Sequence, residues 1–174
     1  MTGFDPVPAL RVLLSHDVRF VIIGGVAGSA LGSPLITQDL DICYDRSREN
    51  LVRLAEALKE LHATLRGAPE GLPFLLDAET LERGDAFTFT TTAGPLDILG
   101  TPRGSGGFDA LERDAISAPI DGLEVRVASL EDLIAMKRAA GRPQDIAAVE
   151  ILGGLRDELE GRPEEEYHPP GEQQ

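Results

Sequence analysis

The stretch VIIGG at residues 21–25, followed thirteen residues later by DLD at residues 39–41, decides the fold of this chain. The first segment is apolar and largely β-branched and ends in two glycines, which predicts a buried strand that turns directly into a short helix. From residue 39 to Tyr44, polar and apolar residues alternate at first, as they do along a strand with two different faces. The glycines between residues 24 and 32 do not fit the spacing G-x-G-x-x-G, so they do not favour a dinucleotide-binding fold.

Three acidic residues are the candidate chemical groups. Asp39 and Asp41 are two residues apart on one predicted strand, so their carboxylates point to the same face. Asp97 interrupts an apolar strand predicted over residues 96–99. If the two strands are neighbours, three carboxylates meet at one point and repel one another unless a cation lies between them. Such oxygen ligands favour one or two magnesium ions completed by water and substrate phosphates. The alternative is that these acids are solvated residues of a strand face and a turn.

The rest of the chain predicts an α/β fold, with a mixed, twisted sheet, flanking helices and a small helical C-terminal segment. Residues 1–8 predict an irregular start, and residues 161–174, with three prolines and four glutamates, predict a disordered acidic tail. Hydrophobic periodicity and turn residues predict helices over residues 10–17, 26–32, 48–61, 108–113, 130–140 and 143–159, and strands over residues 20–23, 39–44, 74–76, 86–91, 96–99 and 123–127.

Composition narrows the class of protein. The chain has 174 residues, of which 42% are hydrophobic, and its single cysteine excludes an internal disulfide. The formal net charge of −14 argues against non-specific binding along a nucleic-acid duplex, which needs a basic surface. The sequence has neither a membrane-spanning apolar run nor the features of a signal peptide at its start. A cytoplasmic enzyme or binding protein without a membrane role is therefore expected.

Two charged residues fall on the inward faces of the last two predicted helices. Lys137 lies within the apolar face of the helix over residues 130–140, and Asp145 lies on the apolar side of the next helix. Such residues form either a buried ion pair or part of a site. The alternative is that Lys137 extends to solvent and that Asp145 favours the start of its helix.

The combination of the apolar strand, Gly24-Gly25, the spacer, Asp39-Leu40-Asp41 and the later acid resembles the motif of the nucleotidyltransferase superfamily, with its DNA polymerase beta-like palm. Thr37 also matches a frequent member of this motif. Over roughly residues 18–150 the chain is similar to small stand-alone bacterial members, including those of toxin and abortive-infection type. The resemblance implies a nucleotidyltransferase palm domain over residues 1–127, a helical segment packed on it over residues 128–160, and the acidic tail over residues 161–174.

The resemblance also implies an activity, the transfer of a nucleoside monophosphate from an NTP such as ATP to a hydroxyl acceptor, with magnesium. The chemistry is in-line displacement, in which positioning and charge neutralisation do most of the catalysis. The implied catalytic and metal-binding residues are Asp39, Asp41 and Asp97, and the implied nucleotide-binding residues are Gly24, Gly25, Thr37, Lys137 and Asp145.

The sequence leaves the acceptor and the partners open. A tRNA 3′ end, a protein side chain and a small molecule such as an antibiotic are all compatible with this site. Arg46, Arg48 and Arg53 form either a track for RNA or a solvated helix face. A toxin or antitoxin partner would fit the resemblance. One alternative function is a catalytically degenerate antitoxin that acts by protein contact, and another is a structural protein whose acids only decorate the surface.

Two positions depart from the nucleotidyltransferase pattern. Many relatives carry an arginine between Gly32 and Thr37, whereas residues 33–36 of this chain contain none. The second acid often found after the position of Asp145 is Ala148 here. Both departures leave room for an inactive member of the superfamily.

Overall fold

The computed structural model describes residues 3–161, and these residues form one mixed α/β assembly. The strands are β1 (Phe20–Ile23), β2 (Leu40–Tyr44), β3 (Thr64–Leu65), β4 (Ala86–Thr91), β5 (Gly94–Leu99), β6 (Ile116–Ile120) and β7 (Leu123–Val127). The helices are α1 (Val7–Ser15), α2 (Gly24–Ala30), α3 (Arg48–Glu60), α4 (Ala78–Arg83), α5 (Phe108–Asp114), α6 (Leu130–Ala140) and α7 (Pro143–Leu159).

The strands form one sheet in the order β3-β4-β5-β2-β1-β7-β6. β2 runs parallel to β5, and β1 runs parallel to β7, whereas the other neighbours are antiparallel. The predicted mixed sheet with flanking helices is therefore confirmed. The central strands β1 and β2 bury almost every residue, which explains why VIIGG and the alternating segment after it dominate the sequence pattern.

A single hydrophobic cluster joins the sheet to the helices. α3 contributes Leu51, Leu54 and Leu58, spaced along one face, and all three are buried. Its start is fixed by Ser47, whose hydroxyl oxygen accepts a hydrogen bond from the Asn50 backbone N–H. Burying such leucines stabilises the fold by about 2 kcal/mol each.

The last two helices form a hairpin beside α2. α6 begins at the capping residue Ser129 and ends at Gly141, which adopts the left-handed conformation (φ 66°) that stops a helix. Pro143 then begins α7, where its missing N–H costs nothing. Leu152 of α7 lies over Gly28 of α2, so the hairpin is packed against the helix that follows β1.

The structure corrects several predicted elements. Residues 74–76 are not a strand, although Phe74 packs against the rings of Phe87 and Phe89. α1 begins at Val7 rather than residue 10, because prolines are tolerated in a first helical turn. β3, α4 and β6 have no counterpart in the prediction. β3 and α4 have only two and six residues, and β6 is an edge strand that contains Pro119, a residue confined to such edges.

Two further observations concern the chain as a whole. The predicted disordered tail at residues 161–174 lies outside the described residues apart from Gly161. Among residues 3–161, no helix is long and apolar enough to cross a membrane.

Candidate active site

A cleft of about 560 Å³ lies where the edge of the central strands meets the C-terminal hairpin. One side is built from the β1–α2 junction, the loop over residues 33–37 and the ends of β2 and β5. The opposite side is built from α6, α7 and the turn after β5. All eight residues that the sequence singled out line this cleft: Gly24, Gly25, Thr37, Asp39, Asp41, Asp97, Lys137 and Asp145.

The three candidate carboxylates meet on adjacent strands. β2 and β5 are parallel neighbours, and their register places Asp41 directly beside Asp97. Asp39 lies just before β2, two residues from Asp41, on the same side. One oxygen from each of the three carboxylates lies within 4.8 Å of the others. The expectation that these two strands adjoin is therefore confirmed, and the result is a compact set of oxygen ligands.

The carboxylates in this cluster perturb one another. Burial, together with the charges of Asp39 and Asp97, raises the pKa of Asp41 from 3.8 to about 7. Burial also raises the pKa of Asp97, opposed by the positive charge of Arg66. The positive charge of Lys137 lowers the pKa of Asp41, but by less than burial and the two neighbouring carboxylates raise it. The site is therefore electrostatically incomplete without a cation.

Arg66 binds one of the candidate carboxylates, a contact that the sequence analysis missed. Its Nη2 donates to Asp97 Oδ1 at 2.9 Å and to the backbone oxygen of Phe89 at 2.8 Å. Asp97 therefore has one oxygen held by Arg66, and its side chain remains 20% exposed. Arg66 follows the two-residue strand β3, and no periodic signal in the sequence connects it with Asp97 thirty-one residues later.

Gly24 and Gly25 have a packing role that the sequence did not reveal. Gly24 has a φ of +67°, and a Cβ there would lie 2.2 Å from Asp41 Oδ2. A Cβ on Gly25 would lie 2.6 Å from the Thr37 Cβ. Asp41 and Thr37 occupy the space that side chains at positions 24 and 25 would need. Glycine at these positions allows the carboxylate and the threonine to approach the start of α2.

Thr37 orients the first carboxylate. Its Oγ1 donates to the backbone oxygen of Asp39 at 3.0 Å and stands 3.3 Å from Asp39 Oδ1. The Asp39 backbone N–H in turn lies 3.5 Å from Thr37 Oγ1. Thr37 therefore fixes the turn that leads into β2, and it does so from within the cleft wall.

Lys137 and Asp145 form an ion pair across the hairpin. Lys137 Nζ lies 3.3 Å from Asp145 Oδ1, and Arg142 Nε lies 2.8 Å from Asp145 Oδ2. The Asp145 side chain is only 1% exposed, and the hydrogen bond from Arg142 lowers its pKa to about 2. Asp145 also accepts from the Arg142 backbone N–H, so it caps α7 as well. The pair is an ion pair, as one interpretation of the sequence had it, and both residues line the cleft.

The arginines considered as a track for RNA are engaged elsewhere. Arg46 pairs with Asp85 at 2.8 Å, Arg48 with Glu82 at 3.4 Å and Arg53 with Glu49 at 2.7 Å. None of the three lines the cleft. Because each charge is balanced by a neighbouring carboxylate, this surface offers little net attraction to phosphates.

Solved structures share this architecture. The lincosamide antibiotic adenylyltransferase LnuA, with lincomycin bound, matches with a TM-score of 0.59 at 13% identity, over 86% of this chain and 94% of that chain. ANT(2'')-Ia in complex with adenylyl-2''-tobramycin matches with a TM-score of 0.54 at 16% identity, over 88% and 93%. An antigenic nucleotidyltransferase-like protein from Paracoccidioides brasiliensis matches with a TM-score of 0.50 at 18% identity, over 86% and 73%.

In sequence, the chain matches no protein-family model and no curated protein. The structural likeness at these low identities establishes the fold. The chain has the fold of the nucleotidyltransferases, as the motif in its sequence predicted.

Proposed function

We propose that this protein is a metal-dependent nucleotidyltransferase that transfers a nucleoside monophosphate from an NTP to a hydroxyl group of a small-molecule acceptor. The observation that carries the proposal is the cluster of Asp39, Asp41 and Asp97, within 4.8 Å of one another, beside Gly24-Gly25 in a nucleotidyltransferase fold. The geometry supports the chemistry because all three acids open into one cleft large enough for a nucleotide-sized ligand.

The donor set fits a hard divalent cation. Carboxylate oxygens are the ligands that magnesium prefers, and magnesium usually keeps several waters and binds substrate phosphates as well. The raised pKa of Asp41 supports the same assignment, because a bound cation would stabilise the charged form that burial and the neighbouring carboxylates disfavour. Asp39, Asp41 and Asp97 are the residues that would hold one or two ions. Bound there, magnesium would offset charge on the transferring phosphoryl group and activate the attacking oxygen.

The proposed reaction is an in-line displacement. The acceptor hydroxyl oxygen attacks the α-phosphorus, the bond from this phosphorus to the oxygen of the β-phosphate breaks, and pyrophosphate leaves. The hydroxyl proton passes to a carboxylate. Asp97 is the candidate base, because Arg66 holds one of its oxygens in place and its side chain remains 20% exposed. Thr37 and Gly25 hold Asp39 in position through the turn before β2.

A small-molecule acceptor is favoured over RNA by two observations. The basic residues Arg46, Arg48 and Arg53 are paired with acids and lie outside the cleft. In addition, two structures of the same fold were solved with small antibiotic molecules: LnuA with lincomycin, and ANT(2'')-Ia with adenylyl-2''-tobramycin. The cleft wall formed by Leu133 and Met136 offers apolar surface to such a molecule.

The experiment is transfer of label from [α-³²P]ATP and the other NTPs, with magnesium, to a panel of hydroxylated small molecules that includes lincomycin and tobramycin. We expect Asp41→Asn and Asp97→Asn to reduce labelling at least about 100-fold, because each removes charge from the reacting centre. Asp121→Asn is the matched control, since Asp121 is exposed and outside the cleft. Circular dichroism verifies that every variant is folded.

The alternative function, an inactive binding protein or antitoxin, predicts a different result. In that case the wild type labels no acceptor with any NTP, and Asp41→Asn leaves the binding of a partner protein unchanged. Equal labelling by wild type, Asp41→Asn and Asp121→Asn would contradict the proposed site directly.

A further inference from the structure

The cleft contains three basic side chains, and two of them are already neutralised. Lys137 and Arg142 both bind the carboxylate of Asp145, at 3.3 and 2.8 Å. Because Asp145 is 1% exposed, withdrawing either cation would leave a buried carboxylate poorly compensated. These two cations therefore stabilise the α6–α7 hairpin through their ion pairs with Asp145.

Arg103 is the third cation, and its situation is different. It lines the cleft, is exposed, and among residues 3–161 makes no hydrogen bond or ion pair. It follows β5 in the chain, and Asp97, Leu99, Pro102 and Arg103 all line the cleft. A guanidinium group left without a carboxylate partner in a chain of net charge −14 is available to an anionic ligand.

The backbone that carries Arg103 is held rigidly. The N–H and hydroxyl of Ser105 both donate to the backbone oxygen of Pro102, at 3.1 and 2.6 Å, and close a tight turn. Gly104 has a φ of +83°, and a Cβ there would lie 2.6 Å from the Ala135 backbone oxygen and 2.7 Å from the Ala139 Cβ. The turn is therefore pressed against α6, which also carries Lys137.

We propose that Arg103 binds the polyphosphate of the nucleotide and is the main side-chain contact to it, whereas Lys137 serves first as the partner of Asp145. The planar guanidinium group presents paired N–H donors that match two phosphate oxygens, and a turn anchored on α6 lowers the cost of ordering it. The identity of the anion as an NTP rests on the proposed function, but the placement of Arg103 does not.

The experiment is isothermal titration of magnesium tripolyphosphate and of magnesium ATP into wild type, Arg103→Gln, Arg103→Lys and Arg138→Gln. Arg138 is the matched control, because it is exposed on α6 next to Lys137 and lies outside the cleft. We expect Arg103→Gln to weaken both ligands about ten-fold or more, since it removes a charge-assisted contact. Arg103→Lys keeps the positive charge but loses the paired N–H donors, so we expect its affinity for both ligands to lie between those of wild type and Arg103→Gln. Arg138→Gln is expected to bind like wild type.

Two outcomes would overturn the inference: wild type that does not bind tripolyphosphate, or Arg103→Gln that binds both ligands as tightly as Arg138→Gln. A higher KM for the acceptor with unchanged nucleotide binding would also overturn it, because Arg103 would then contact the acceptor. Thermal unfolding serves as the fold control, and no change in Tm is expected, because Arg103 has no partner to lose.

Failure of the inference can be told apart from failure of the proposed function. If tripolyphosphate binding depends on Arg103 but wild type transfers no nucleotide, the anion site stands and the proposed activity falls. If wild type transfers nucleotide and Arg103→Gln does so with an unchanged KM for the NTP, the activity stands and the role of Arg103 falls.

Discussion

The substitution Asp41→Asn is expected to stabilise the metal-free protein above pH 7, although it removes the residue at the centre of the candidate site. Asp41 lies beside Asp97 and close to Asp39, and burial together with these charges raises its pKa from 3.8 to about 7. When Asp41 ionises without a cation, three carboxylates repel one another in a partly buried cluster. Asparagine has nearly the same shape and removes this charge.

The sign of the effect follows from proton binding. In the unfolded chain Asp41 has a pKa near 4, so between pH 4 and 7 the folded state holds more protons than the unfolded state. The free energy of unfolding therefore decreases as the pH rises through this interval and stays level above pH 7. Below pH 4 the carboxyl is protonated in both states and has no effect.

The magnitude follows from the same shift. A pKa raised from 3.8 to about 7 corresponds to about 4 kcal/mol of lost stability at pH 8, at about 1.4 kcal/mol per pKa unit. Asparagine recovers only part of this, because its amide carries a burial cost of its own. We expect Asp41→Asn to raise the free energy of unfolding by about 1–3 kcal/mol at pH 8 and to leave it unchanged at pH 3.5.

The assay is urea unfolding followed by far-ultraviolet circular dichroism, because the chain contains no tryptophan. Wild type, Asp41→Asn and the exposed control Asp121→Asn are compared at pH 3.5, 6 and 8 in EDTA. Added MgCl₂ should reverse the order at pH 8, since an ion that binds only the folded wild type adds about 2.7 kcal/mol at one hundred times its Kd.

The reasoning would be refuted if Asp41→Asn were less stable than wild type at pH 8 in EDTA. It would be refuted equally if the difference were the same at all three pH values. Either result would mean that the carboxylates do not form a repulsive cluster in the absence of a cation.

Three further predictions follow from the cleft. The apparent association constant for Mg²⁺, measured by titration calorimetry, is expected to rise about ten-fold per pH unit up to pH 7 and then level off, because binding displaces the proton of Asp41. Gly24→Ala is expected to reduce nucleotide transfer at least about 100-fold and to lower the free energy of unfolding by about 1–2 kcal/mol, since its Cβ would meet Asp41 Oδ2 at a positive φ. Asp145→Asn is expected to lower the Tm by about 5 °C or more at pH 7, because Lys137 and Arg142 lose their buried partner.

The two substitutions each have a control within the chain. Gly154→Ala lies in α7 with open space around its Cβ and is expected to stabilise the protein by about 0.5–1 kcal/mol. Asp157→Asn removes an exposed ion-pair partner and is expected to leave the Tm nearly unchanged. The pKa of Asp145 is lowered to about 2, so its contribution is present above pH 4 and is lost as the pH falls to 2. A destabilisation by Asp145→Asn that persisted at pH 2 would contradict the ion-pair explanation.

The sequence could predict the carboxylate cluster because its signal is local. The alternation around Asp39 and Asp41 assigns both to one strand face, and an acid within an apolar strand is conspicuous at Asp97. The register that joins them needed the pairing of β2 with β5, which the sequence left as a condition and which the structure shows to be parallel. Strong periodicity also predicted α3, α6 and α7 close to their observed bounds.

The residues that sequence reasoning missed are those fixed by tertiary contacts. Arg66 reaches Asp97 from a segment that has almost no regular structure. Arg103 lies on the loop after β5, and its position depends on the close approach of Gly104 to α6. Neither arginine belongs to a sequence motif, so the sequence does not distinguish it from the other basic residues.

The two departures from the superfamily pattern remove no group that the proposed reaction needs. Ala148 is 7% exposed and lies one turn after Asp145. A second carboxylate there would be buried next to Asp145, which already forms ion pairs with both nearby cations. The segment without an arginine, residues 33–36, forms an apolar part of the cleft wall and includes Ile36, which is 87% exposed. Arg103 brings a positive charge into the cleft from the turn after β5. Residues 33–36 therefore need not supply one and are available to contact a nucleobase or an apolar part of the acceptor. With Arg103 in the role proposed for it, the cleft keeps a positive charge for the triphosphate although residues 33–36 supply none.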